Sequence, residues 1–89
     1  MRKKDLYRYV YPICNERNEE VFKRTCLLIE NSLGGLKKES SLFLLDSSTL
    51  QIYYYGERKI AVYNDGCIEA VCVCADIDIG NILGVDSIY

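Results

Sequence analysis

The stretch Cys67-Ile68-Glu69-Ala70-Val71-Cys72-Val73-Cys74-Ala75-Asp76-Ile77-Asp78-Ile79 decides the fold. Read with period two, Val71, Val73, Ala75, Ile77 and Ile79 fall on one side and Ala70, Cys72, Cys74, Asp76 and Asp78 on the other. From Ala70 to Ala75 both sides are apolar, which is the signature of a strand covered on both faces and set inside a sheet. Beyond Ala75 one side turns acidic while the other stays aliphatic, so one face emerges there into water.

Working back from this strand, the preceding segments read as its antiparallel neighbours. Asn64-Asp65-Gly66 is a hairpin signal, because all three residues tolerate positive φ. Arg58–Tyr63 precedes it, joined through a tight turn at Gly56-Glu57 to Leu50–Tyr55. Asp46-Ser47-Ser48-Thr49 is turn chemistry, and Ser41–Asp46 ahead of it is a short, almost wholly apolar strand. Connections this short force antiparallel neighbours. Leu6–Ile13 also alternates, with Pro12 marking an edge or a strand end. Lys37–Ser40 reads as a polar link.

One helix is expected over Asn15–Leu33. Asn15 is placed to cap it, and Glu16, Glu19 and Glu20 put negative charge where the helix dipole favours it. Phe22, Cys26, Ile29 and Leu33 form the apolar stripe, widened by Val21, Thr25 and Leu28, and Gly34-Gly35 stops it. The expected fold is α+β: a single domain over residues 1–89, with one amphipathic helix packed on one face of a four- to five-stranded antiparallel sheet in the order β-α-β-β-β-β. The residues from 81 to 89 are too short and glycine-interrupted for a firm helix; their apolar members suggest a segment tied down or reaching a second chain.

Eighty-nine residues make a small core, which a partner chain would help to stabilise. A net charge of −2 predicts no general attraction to nucleic acid or anionic lipid. No apolar run approaches the ~20 residues needed to span a bilayer. The basic Met1–Lys4 start leads into a charged, tyrosine-rich segment and not an apolar signal core. With five cysteines, an odd number, the chain reads as cytoplasmic, with thiols reduced and used as small hydrophobes.

There is no histidine, which removes the usual general base, the usual metal ligand and any Ser-His or Cys-His nucleophile pair. No phosphate-cradling glycine motif occurs. Asp76 and Asp78 could hold a hard cation with Glu69 or Asp65, but a solvated strand end explains them better. Cys67, Cys72 and Cys74 lack zinc-knuckle spacing even with Cys26 added. The expectation is therefore no catalytic residue, no metal and no cofactor.

Tyrosine is the unusual feature: eight of them, against two phenylalanines and no tryptophan. If the helix covers the Leu50/Ile52 side, then Tyr53, Tyr55 and Tyr63 with Lys59 form an exposed binding surface on the other. The run Cys72–Gly84 resembles the last strand and Asn/Leu/Gly corner of roadblock-type dimerisation modules, although the chain lacks the second helix pair of that fold and no residue role carries over. The leading functional expectation is a non-enzymatic protein-binding module acting through the tyrosine face, as a homodimer. One alternative is a virus- or phage-encoded inhibitor that docks on and blocks a host enzyme or defence complex. The other, disfavoured by charge, is single-stranded nucleic-acid binding on the same face.

Overall fold

The computed structural model describes residues 7–39, 41–44, 48–66 and 69–88. The chain is an α+β fold in which one main helix, α1 (Glu19–Ser32), lies across an antiparallel sheet. The sheet runs β1 (Tyr9–Cys14), β6 (Ala70–Ala75), β5 (Arg58–Asp65), β4 (Thr49–Tyr55), then β2 (Lys37–Lys38), with β3 (Leu42–Phe43) also pairing to β4. No described helix is long and apolar enough to cross a membrane.

The doubly apolar strand sits where its pattern demands, with β1 on one side and β5 on the other. Val71, Val73 and Ala75 face the helix and Cys74 faces away, all fully buried or nearly so. The main core gathers Tyr11, Phe22, Cys26, Ile29, Tyr53, Ile60 and Val62 around them. On the opposite face a smaller cluster joins Tyr7, Val10, Leu50, Ala61, Tyr63 and Cys74. The amino-terminal strand, whose place in the sheet the sequence left open, therefore belongs to it and closes it beside β6.

Several boundaries differ from the sequence reading, each for a local reason. The helix cap is Asn18 and not Asn15: its side chain accepts from the Val21 N–H at 3.0 Å, with Glu19 and Glu20 in the first turn. Leu28, expected in the buried stripe, is exposed, because Phe22, Thr25, Cys26 and Ile29 already fill the width that the sheet can cover. Asn64 and Asp65 are not turn residues but the buried end of β5. Asn64 accepts from the Asn18 N–H at 3.1 Å and donates to Glu19 at 3.2 Å, tying the helix start to the sheet. Among the described residues of that connection, the positive φ falls on Glu69 (50°). Lys37-Lys38, read as a link, pairs with Tyr53 and Tyr54. Gly80–Leu83 forms one helical turn, α2, halted by Gly84 in the left-handed region at φ 72°. The outer parts of some expected elements (Leu6, Leu45, Asp46, Ser47, Cys67 and Ile68) lie outside the described residues, as does Tyr89 at the end of the tail.

Candidate functional site

The four residues expected to make one surface are not brought together. The turn at Gly56-Glu57 sets the β4–β5 register, which puts Tyr53 opposite Ile60, Tyr54 opposite Lys59, Tyr55 opposite Arg58, and Leu50 opposite Tyr63. Opposed residues share a face, so Tyr53 and Tyr55 lie on one side and Tyr63 and Lys59 on the other. The helix covers the Tyr53 side and not the Leu50/Ile52 side. Ile60, Val62, Val71 and Val73 are the larger aliphatic set, and Tyr53 is carried to the helix with them.

Tyr53 is 0% exposed. Its hydroxyl donates to Glu30 Oε2 at 2.5 Å, and Lys38 Nζ lies 3.0 Å from the same oxygen. Burial followed by the Glu30 contact pushes the Tyr53 hydroxyl far above its ordinary range, and its hydrogen bond holds the Glu30 carboxyl below its own. Burial raises the neighbouring Cys26 thiol as well, so it rests as an inert packing group. Tyr63, 8% exposed, is raised by burial in the second cluster beside Tyr7. Lys59 holds its ammonium 5.9 Å from the centroid of the Tyr7 ring, a cation–π contact within the fold. Of the four, Tyr55 alone is exposed.

The two acidic residues at the end of β6 are also spoken for. The Asp76 carboxylate accepts from the Lys59 N–H at 3.4 Å, and the Asp76 N–H donates to the Lys59 carbonyl at 3.0 Å, continuing the ladder past the strand end. Asp78 accepts from the Tyr11 hydroxyl at 2.9 Å and the Gly80 N–H at 3.0 Å, and the Gly80 contact foremost holds its carboxyl below the usual range. Among the described residues no group of three or more metal-ligating side chains comes together.

What the molecule does expose is an edge. β1 is closed from outside by the tail: Val10 N–H donates to Ser87 Oγ at 3.0 Å, and Ile88 N–H donates to the Val10 carbonyl at 2.8 Å. Pro12 in the same strand has no N–H to offer. β2 carries two exposed lysines, a common device for keeping an edge from pairing. β3 has neither protection. Leu42 is 47% exposed, Phe43 73%, and Leu44 beside them is exposed too. No described strand lies beyond it.

Strand alternation sorts these side chains. Leu42 opposes Leu50 and so lies on the face away from the helix; Phe43 opposes Thr49 and lies on the helix face. On the helix face a groove of about 420 Å³ runs between α1 and the outer side of β4, its largely apolar surface lined by Phe22, Cys26, Leu27, Ser41, Thr49 and Gln51, with charged Glu19, Lys23, Glu30 and Lys38 also around it. Its floor is rigid. Gln51 is buried with its amide donating to the Glu39 carbonyl and its oxygen accepting from Ser41 Oγ, both at 2.5 Å. Leu27 stands exposed on the groove's helical wall. The sequence shows Ser41–Asp46 as a short, almost wholly apolar strand but does not say which side of it is covered. The available signal was its place first in the meander, with only polar residues before it to cover its outer side.

No family model, curated protein or solved structure matches this chain.

Proposed function

We propose that this chain is a non-enzymatic module that works by protein contact, and that the contact is strand addition along β3 and not a tyrosine face. The observation that carries the reading is the contrast between edges: one sealed by the tail and Pro12, one guarded by lysines, and one left open with Phe43 73% exposed. Exposed apolar edges are what proteins ordinarily avoid, and one that persists beside a largely apolar groove is suited to receive a strand. Main-chain hydrogen bonds would supply affinity, and the side chains of alternate residues specificity. The absence of histidine, and the engagement of the Tyr53 hydroxyl and of the Glu30, Asp76 and Asp78 carboxylates in the fold's own bonds, support a role without chemistry.

The test is affinity capture with the tagged chain from source cells that also express an untagged copy. Wild type and Tyr55→Ala should retain a protein partner, own copy or other, that Phe43→Arg loses. A wild type that retains nothing above the tag control, or a Phe43→Arg chain that captures the same partner, overturns the proposal.

A further inference from the structure

The geometry points to a second copy of this chain as the occupant of the open edge, paired antiparallel through Phe43 about a two-fold axis; this rests on the strand-addition reading above. Leu44 N–H donates inward to the Ser48 carbonyl at 2.8 Å. Successive residues of a strand present their amides to opposite sides, so the N–H and C=O of Phe43 point outward, away from β4. Two copies brought together at this residue satisfy both groups reciprocally. Each Phe43 N–H meets the other copy's Phe43 carbonyl, forming one closely spaced pair of an antiparallel ladder.

Side-chain chemistry is self-matching about the same point. A register centred on Phe43 sets Phe43 against Phe43 on the helix face and Leu42 against Leu44 on the other. Ser41 through Leu44 includes no charge to oppose its own image across the axis. A two-fold perpendicular to the sheet leaves both α1 helices on the same side of one continuous sheet, so Leu27 of each copy flanks the paired phenylalanines. Closed two-fold pairs are the commonest homo-oligomers, and an 89-residue chain with a modest core gains from one.

The size of the surface sets the expected strength. The exposed parts of Leu27, Leu42, Phe43 and Leu44 come to roughly 400 Å² per copy, about 800 Å² for the pair. That is below the usual range for stable complexes, so the pair is expected to be weak and reversible.

Sedimentation equilibrium of the full chain from 1 to 300 μM, with amide hydrogen exchange at both ends of the range, tests this. The weight-average mass should climb from 10.2 kDa toward twice that value, and the Phe43 amide should gain protection with concentration. Phe43→Arg should hold at the single-chain mass throughout, with the amides of β6 still protected as proof of folding. Leu27→Glu, a change on the helix surface that leaves the core intact, should weaken association at least fivefold. A wild type that stays at 10.2 kDa, or a dimer whose Phe43 amide exchanges equally fast at both concentrations, overturns the inference. If the wild type is a monomer yet Phe43→Arg loses a captured protein, the second copy is refuted and strand addition survives. If it is a monomer and capture is indifferent to Phe43→Arg, both fall.

Discussion

Replacing Tyr53 by phenylalanine removes one oxygen from a site that is otherwise fully packed, which separates the hydroxyl's bonds, chiefly to Glu30 and also to the Cys26 thiol, from the burial of the ring. A hydrogen bond to a charged acceptor stabilises by about 1.5–3 kcal/mol. Glu30 is partly open to water and keeps Lys38 at 3.0 Å, so it is not stranded and the lower end applies. The expected loss is about 1.5 kcal/mol at pH 7, or roughly 8 °C in Tm for a domain of this size. The sign of the pH dependence follows from Glu30, whose carboxyl titrates lower in the folded chain than in the unfolded one. Its contribution is complete above the unfolded pKa and disappears as pH falls through the folded value. Urea unfolding of both proteins from pH 7 to pH 3 should therefore show their gap shrinking toward about 0.5 kcal/mol, the value of a neutral hydrogen bond. A gap below about 0.5 kcal/mol at pH 7, or one that stays constant to pH 3, would refute the reasoning.

Three further outcomes are expected. Asn64→Ala removes the bond to the Asn18 N–H and the tie to Glu19 together, and should cost about 1–2 kcal/mol in urea unfolding, with amide exchange quickening first in the opening turn of α1. Tyr63→Ala empties a buried position in the second cluster; it should destabilise by roughly 3–5 kcal/mol, while Tyr55→Ala changes stability by less than about 0.5 kcal/mol, the reverse of what two members of one exposed surface would show. Deleting residues 86–89 removes the Ser87 and Ile88 contacts to Val10, so the Val10 amide should lose protection in hydrogen exchange and light scattering should reveal concentration-dependent association that Phe43→Arg no longer prevents.

The placement of β6 was legible because six consecutive residues are apolar on both sides, and only a position between two strands satisfies that. The α1 stripe was legible for a similar reason, and the helix did pack on one face of an antiparallel sheet. Which face it covers was not legible from β4 alone, since Leu50/Ile52 and Tyr53/Tyr55 are both plausible core edges. The answer lay in β5, where Ile60 and Val62 oppose Tyr53 and Gln51 across a hairpin whose two-residue turn fixes the pairing. Asn64 was misread because an Asn-Asp-Gly triplet is a turn by local preference. Its bonds to Asn18 and Glu19 are made 45 or more residues away in sequence, beyond the reach of local pattern. The Leu42–Leu44 edge was visible as apolar but not as exposed, because exposure depends on what does not fold over it.

The lopsided treatment of the sheet's two ends has a consequence for how far copies could accumulate. A strand presenting itself at β1 meets a berth already taken by Ser87 and Ile88 of the same chain, with Pro12 beside it. Growth by stacking edge on edge needs two vacant ends per molecule, and among the described residues only the β3 end is vacant. Two copies joined at β3 would leave only stoppered ends facing outward, so association would halt at a pair instead of lengthening into a fibre.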